Sequence, residues 1–213
     1  MTRPVLYDYF RSSAGYRVRI ALNLKRIEHD RVPINLLEGA QKEPGYTGRN
    51  PQGLVPTLEI GGLRLTQSLA IIDYLDALEP EPPLLPRDPA DRAHVLALAL
   101  VVACDTHPIN NLRVLKYLSG PLGLDPETRS AWYAHWVIEG LAALEAMAAP
   151  RAGRFLFGDA PSLADICLVP QLYNARRFDI PLGDFPRLVS VEAEAGRIEA
   201  FAAAHPDVVA ASE

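Results

Sequence analysis

Two residue pairs, Val55-Pro56 and Gln67-Ser68, carry the most informative chemistry of this chain. Between them, alternating side chains around Gly61-Gly62 predict two strands joined by a tight turn, and apolar residues at helical spacing follow Ser68. Pro56 is a candidate for a cis bond, which would turn the Val55 N–H and C=O outward to pair with an antiparallel peptide. The Ser68 hydroxyl and the first N–H groups of the helix would hold a carboxylate. These residues indicate a site for a small anionic peptide; the alternative is an ordinary hairpin and helix in a core.

Ser12 and Ser13 open a second helical pattern, near the start of the chain. A hydroxyl hydrogen bond and the positive end of a helix dipole both favour a thiolate. Together they could lower the pKa of a thiol held there from about 8.5 toward neutrality. Either serine could instead cap the helix.

A polar cluster at residues 105–113 interrupts an apolar helical run. Pro108 should kink this helix and free a carbonyl. His107 and Asn111, four residues apart, should share one helical face. Such a cluster is costly unless it meets a ligand or another surface, so the alternative to a ligand site is a domain or subunit interface.

Arginines recur on the segments that could bind a ligand. A guanidinium binds a carboxylate bidentately, so a small dicarboxylate substrate would suit them, and a surface salt bridge is the alternative for each. Solvated surface charge is expected for Arg17 or Arg19. The candidate substrate-binding residues are Arg11, Arg113, Arg176 and Arg177.

The order of the patterns predicts two domains. Residues 1–80 alternate strand, helix, strand, two strands and helix, which indicates an α/β thioredoxin-like domain. Five prolines in residues 80–89 exclude a helix or central strand, so 81–89 is the predicted linker. Residues 90–213 show helical periodicity at 90–118, 126–148, 162–178 and 186–204, which predicts an all-α bundle, with the tail from Pro206 frayed. Ser162 and Asp165 have the spacing of a structural capping box.

Composition argues against several classes of protein, among them nucleic-acid-binding, membrane-spanning and metal-binding proteins. A net charge of −5 gives no support to nucleic-acid binding, and the longest apolar run has ten residues, short of the roughly 20 that a membrane span needs. No signal peptide is visible, and Cys104 and Cys167 are expected to be core thiols rather than a disulfide. The five histidines show no metal-ligand spacing. A reducing cytoplasm is therefore the expected location.

In two parts of its sequence the chain resembles the zeta class of glutathione transferases. The Val-Pro and Gln-Ser pairs resemble the glutathione-binding half of that family, and residues 9–22 resemble the zeta signature, which usually has Ser-Ser-Cys before Trp-Arg-Val-Arg. The resemblance implies the glutathione transferase architecture, a homodimer, and a glutathione-dependent cis–trans isomerase acting on maleylacetoacetate in aromatic amino acid catabolism. Maleylpyruvate isomerisation, a conjugating or dehalogenating transferase, and a non-catalytic glutathione-binding module are the alternatives.

The same resemblance implies roles for individual residues. Ser13 aligns with the serine that meets the glutathione sulfur, Ser12 with its neighbour, and Arg177 with an arginine shared by zeta members. His107 and Asn111 resemble glutathione contacts, and Arg113 would face the substrate. Tyr7 is a lower-ranked candidate because other classes use a tyrosine. Ala14 departs from the usual cysteine, so only its backbone N–H could serve, and catalysis would depend on the glutathione sulfur alone.

Overall fold

A computed structural model describes residues 3–211, which divide into two compact units. The first comprises residues 3–83 and 196–211, and the second residues 84–195. This division differs from the predicted one at the C-terminus, because residues 196–211 pack on the first unit. The side chains of Arg19 and Asn23 donate to the carbonyls of Ala204 and Ala200 at 3.1 and 3.0 Å, and these bonds tie the C-terminal segment to the first helix.

The first unit contains a four-stranded sheet in the order β2-β1-β3-β4. β1 pairs in parallel with β2, and the β1–β3 and β3–β4 pairs are antiparallel. The helices α1 and α3 pack against each other, and their apolar side chains form the core with Leu6 and Leu58. The elements are β1 (Val5–Asp8), α1 (Ser13–Leu24), β2 (Asp30–Pro33), a 3₁₀ turn (Ala40–Lys42), α2 (Pro44–Thr47), β3 (Thr57–Ile60), β4 (Leu63–Thr66) and α3 (Ser68–Leu78).

The predicted hairpin is confirmed, with positive φ at both Gly61 and Gly62, as a tight turn of this kind requires. The predicted thioredoxin-like arrangement of strand, helix, strand, hairpin and helix is confirmed as well. The short elements of residues 40–47 escaped prediction because they are too short to show periodicity.

The second unit is helical, as predicted. Its elements are α4 (Pro89–Leu100), a π-helical stretch (Val101–Thr106), α5 (His107–Ile109), α6 (Leu112–Ser119), α7 (Pro126–Ala148), α8 (Leu163–Arg177) and α9 (Pro186–Gly196), whose last residue falls to the first unit. Within the first unit follow α10 (Glu199–Ala202) and α11 (Pro206–Ala210). The expectation of a frayed tail is therefore wrong for residues 206–210, where Val209 is buried, while residues 212–213 lie outside the described part of the chain.

The buried start of α8 is held by the predicted capping box. The carboxylate of Asp165 accepts the Ser162 N–H and hydroxyl at 2.7 and 2.8 Å and the Leu156 N–H at 2.8 Å. Burial raises the pKa of Asp165 to about 6 even though these donors favour its ionised form. Asp165 is thus a folding residue, as its position suggested.

One helical run, Pro89–Ser119, has the length and composition of a membrane span. A third of its most apolar window is buried inside the protein. The buried residues Val95, Leu98 and Ala99 lie on α4, which packs against α8 in the way of a core helix. Cys104, expected in the core, is exposed on the π-helical stretch, whereas Cys167 is buried; the two form no disulfide.

Candidate functional site

Strand register brings three of the predicted site segments to one end of the sheet. Tyr7 pairs with Thr57, and Thr57 pairs with Thr66. β1 and β4 end at this side and β3 begins there. Consequently the serines before α1, the Val55 segment before β3 and the start of α3 all emerge from the same end of the sheet.

The two serines have different structural roles. Ser12 is the N-cap of α1, and its hydroxyl accepts the Gly15 N–H at 3.1 Å. Ser13 is the first residue of the helix and is buried, and Ala14 follows it on the first turn. Ser12 therefore performs the capping, and Ser13 lies next to it at the positive end of the helix.

An ion pair that sequence reasoning missed lies under the start of α1. Asp8 is fully buried, pairs with Arg19 and accepts the Tyr9 N–H at 2.7 Å. Burial raises the pKa of Asp8, and the Arg19 charge opposes that rise. A Cβ on Gly15 would lie 2.5 Å from Asp8 Cγ, so this position requires glycine. The signal in the sequence was a glycine in the first turn of a helix.

The Val55-Pro56 bond is cis, as suspected. The peptide before it is fixed by two side chains, because Leu54 O accepts the Tyr46 hydroxyl at 2.6 Å and Asn50 Nδ2 at 2.7 Å. The Tyr46 hydroxyl also lies 2.9 Å from Thr57 Oγ1. Sequence reasoning did not single out Tyr46 or Asn50, since nothing local marks a tyrosine whose partners lie eight and eleven residues away.

The start of α3 leaves donors without partners inside the helix. Gln67, at φ 67°, is the N-cap but makes no side-chain capping bond, and its Nε2 donates instead to Gln52 Oε1 at 2.8 Å. The first helical bond runs from the Ile71 N–H to Gln67 O, so the N–H groups of residues 68–70 precede it. Arg17 Nη1 approaches Ser68 Oγ at 3.5 Å. The expectation of a solvated Arg17 or Arg19 is wrong: both are 2 % exposed, because α1 is packed by α3 and by α10.

Arg11 precedes the cap of α1, and its guanidinium carbon lies 4.7 Å from the centre of the Phe10 ring. Its buried Nε has no hydrogen-bond partner among residues 3–211. Tyr7, the lower-ranked candidate, donates its hydroxyl to Glu59 Oε2 at 3.1 Å. It lies on the sheet face opposite to Asp8, which argues against a role for Tyr7 at the start of α1.

In the second unit, the predicted shared face of His107 and Asn111 is wrong. α5 ends at Ile109, and Asn111 is the N-cap of a separate helix, α6, where its side chain accepts the Arg113 N–H at 3.1 Å. A proline lacks the N–H for a regular helical bond, and the backbone before Pro108 is a π-helical stretch. Asn111 is thus a helix cap as well as a predicted glutathione contact, and Arg113 is exposed on the first turn of α6.

The two neighbouring arginines of α8 differ sharply. Arg176 forms an ion pair with Glu192, with Nε 3.3 Å from Oε1, and this hydrogen bond raises its pKa. That is the surface salt bridge considered as the alternative, and it leaves Arg176 poorly suited to bind substrate. Arg177 forms no ion pair among the described residues; its guanidinium lies 5.7 Å from the Phe178 ring and donates to Asn174 Oδ1 at 3.3 Å. The Phe178 ring in turn stacks on Tyr133 at 3.9 Å, which fixes this surface.

Family models match both units of the chain. The glutathione S-transferase N-terminal domain matches residues 11–78, and the glutathione S-transferase C-terminal domain matches residues 130–204. The chain is 50 % identical over 204 residues to the maleylacetoacetate isomerase of Rhizobium meliloti, covering 95 % of this chain and 96 % of that one. It is 43 % identical to the maleylpyruvate isomerase of a Ralstonia species, covering 94 % and 96 %.

Solved structures agree with the sequence relatives. A holo structure of maleylpyruvate isomerase, described as a bacterial glutathione S-transferase of zeta class, superposes with a TM-score of 0.94 at 43 % identity, covering 96 % of this chain and 97 % of that one. The maleylacetoacetate isomerase of Anaeromyxobacter dehalogenans, solved with glutathione in its active site, gives a TM-score of 0.87 at 42 % identity, covering 96 % and 95 %. With family models over most of its length and relatives of this identity over nearly all of it, the chain belongs to the zeta class of the glutathione S-transferase family.

Proposed function

We propose that this protein is a glutathione-dependent cis–trans isomerase that converts maleylacetoacetate to fumarylacetoacetate. The observation that carries the proposal is the convergence of Ser13, Val55 and Ser68 at one end of the first unit's sheet. Relatives named for this activity match nearly the whole chain, which supports it further.

The residues at the end of the sheet fit glutathione. The N–H groups of residues 68–70 have no acceptor within α3, and the Ser68 hydroxyl lies on the same first turn. The N–H and C=O of Val55 form no hydrogen bond to any residue from 3 to 211, so they remain available to the backbone of a bound peptide. Ser13 and the Ala14 N–H, on the first turn of α1, would hold the sulfur.

Each group of this chain then has a defined task. Bound glutathione would supply a thiolate that adds to the cis double bond and turns it into a single bond. After rotation about that single bond, elimination of the thiolate would re-form the double bond as trans and return glutathione unchanged. Ser13 donates a hydrogen bond that favours the thiolate over the thiol, and the α1 dipole acts in the same direction. Ala14 cannot act as a thiol, so no cysteine of the chain is needed at this position.

The substrate carboxylates would be bound by arginines that have no carboxylate partner within the described residues. Arg11, Arg113 and Arg177 meet this condition, and Arg176 does not. Fixing both ends of a diacid limits the conformations from which the double bond can re-form. We further assign His107 and Asn111 to glutathione binding, a role that for Asn111 would use the amide nitrogen left free by capping.

We place the protein in the cytoplasm as a homodimer. The two cysteines, Cys104 and Cys167, form no disulfide, which suits a reducing compartment, and a structure of a relative contains glutathione. A sedimentation-equilibrium mass near twice 23.3 kDa is the expected result for the dimer. A mass of one chain at micromolar concentration would contradict it.

The decisive experiment is an ultraviolet trace of maleylacetone isomerisation with and without glutathione. Turnover that strictly requires glutathione is expected, and parallel traces with maleylpyruvate would rank the two maleyl substrates. Maleylpyruvate is the second candidate because structural agreement with its isomerase is close. Binding of glutathione without any turnover would overturn the isomerase proposal and favour conjugation or a purely binding role.

A further inference from the structure

Three basic side chains of α1 and its C-cap are buried, and two of them are fully satisfied. Arg19 pairs with Asp8 and also donates to the carbonyls of Ala204 and Phe10. Lys25 donates to Asp76 and to the carbonyls of Glu79 and Pro82, each at 2.6 Å. These groups illustrate how this unit normally compensates a buried cation.

Arg17 is the exception. It is as buried as Arg19, yet among residues 3–211 its guanidinium makes a single long hydrogen bond, from Nη1 to Ser68 Oγ at 3.5 Å. Its Nε and Nη2 atoms are buried and have no hydrogen-bond partner among residues 3–211. No carboxylate among those residues forms an ion pair with it.

This arrangement is costly without an anion. The guanidinium of Arg17 is a positive charge in a place that water does not reach. An unpaired charge in the interior loses solvation that only a counter-charge restores. The positive end of the α3 dipole lies beside it and adds to the positive potential rather than opposing it.

The geometry points to Arg17 as the positioning residue for the α-carboxylate of the γ-glutamyl arm of glutathione. Arg17 places a buried positive charge 3.5 Å from the Ser68 hydroxyl, beside the donors of α3. This inference rests on the proposed function, since it takes glutathione as the ligand, and it adds a charge from α1 that the Gln67-Ser68 pair alone does not contain.

Strand direction selects the γ-glutamyl end. A peptide antiparallel to the segment from Val55 to Thr57 runs from the Thr57 side toward Val55, so its N-terminal arm lies beside Thr57. Thr57 pairs with Thr66, which directly precedes Gln67 and Ser68. The glycine carboxylate, at the other end of the peptide, points away from α3.

The test compares three thiol peptides by calorimetric binding to the full chain. These are glutathione, its analogue with 4-aminobutyrate in place of the γ-glutamyl residue, and γ-glutamylcysteine N-methylamide, which lacks the glycine carboxylate. In Arg17→Met, affinity for glutathione should fall roughly 10- to 100-fold, the size of a charged hydrogen bond. Affinity for the 4-aminobutyrate analogue should change less than about threefold. The penalty for omitting the glycine carboxylate should equal that in the unmodified protein.

Control variants distinguish the loss of the Arg17 charge from a loss of folded structure. Arg17→Lys should recover part of the preference for the α-carboxylate, and Arg26→Met, an exposed change just beyond α1, should leave all three affinities unchanged. If Arg17→Met fails to fold, Arg17→Lys and Arg17→Gln take its place in the same comparison, with glutathione KM and kcat measured at saturating maleylacetone.

Equal loss of affinity for glutathione and for the 4-aminobutyrate analogue would overturn the inference, because a structural defect affects both peptides alike. A KM for glutathione unchanged in all Arg17 variants would overturn it as well. Failure of the unmodified protein to bind glutathione would overturn the proposed function and this inference with it, so the two failures are distinguishable.

Discussion

The Ser12 hydroxyl accepts the N–H of Gly15 at 3.1 Å, so Ser12 caps α1 and Ser13 does not. Replacing each serine with alanine should therefore give different defects. Ser12→Ala should lower the free energy of unfolding by about 1 kcal/mol, the usual value of an N-cap, with glutathione-dependent turnover only modestly affected.

Ser13→Ala should instead lower kcat roughly 10- to 100-fold, because the bound thiolate loses a charged hydrogen bond. The thiolate absorbance of bound glutathione, titrated against pH, should move to higher pH in this variant. Full turnover in Ser13→Ala, with Ser12→Ala inactive but folded, would reverse the two assignments.

Gly15 should not tolerate a side chain. Gly15→Ala would place a methyl group 2.5 Å from Asp8 Cγ, and the buried Asp8–Arg19 pair cannot move without losing its hydrogen bonds. We expect a loss of roughly 1–3 kcal/mol in the free energy of unfolding, measured by urea denaturation. Gly45→Ala is the matched control, since nothing lies within 4 Å of a Cβ there. Equal stabilities of the two variants would contradict the contact.

How far the sequence predicts this molecule depends on the range of the interactions involved. Alternation and turn glycines predict the hairpin, and helical spacing predicts α7 at residues 126–148, because both are local patterns. The burial of Arg17 and Arg19 was beyond local reasoning. That burial depends on the packing of α10 against α1, two elements that are far apart in the sequence. The hydrogen bond from Arg19 to the Ala204 carbonyl likewise spans 185 residues.

Within the site, the same distinction holds. The Val-Pro and Gln-Ser pairs are recognisable in sequence because turn and helix-start chemistry is local. The break between His107 and Asn111 was missed because their spacing suits one continuous helix, and only the structure shows Asn111 capping a new one. The pairing of Arg176 with Glu192 likewise requires the packing of α9 beside α8.

Arg177 and Arg176 offer a test of substrate binding on adjacent residues. Arg177→Met should raise KM for maleylpyruvate, which carries both carboxylates, about tenfold or more, because a guanidinium without a carboxylate partner in the described chain is available to the substrate. Arg176→Met breaks an exposed pair with Glu192 and should change KM less than about threefold. Steady-state kinetics at saturating glutathione measures both. The opposite ranking, or no effect of either change, would remove Arg177 from the substrate site.

Asp165 should give the stability a defined pH dependence. Its pKa is raised to about 6 in the folded protein and is about 3.9 in an unfolded chain. Between these values the folded state binds more protons than the unfolded state, so this residue's contribution is largest below about pH 4 and is lost as the pH rises through about 6. The loss amounts to about 3 kcal/mol, since each pKa unit corresponds to about 1.4 kcal/mol.

Asp165→Asn cannot titrate, so the stability difference between the unmodified protein and this variant isolates the effect from other carboxylates. Urea denaturation at pH 5 and pH 7 should show a larger difference at pH 5, and a difference that grows toward pH 7 would mean that Asp165 is held ionised by its three donors.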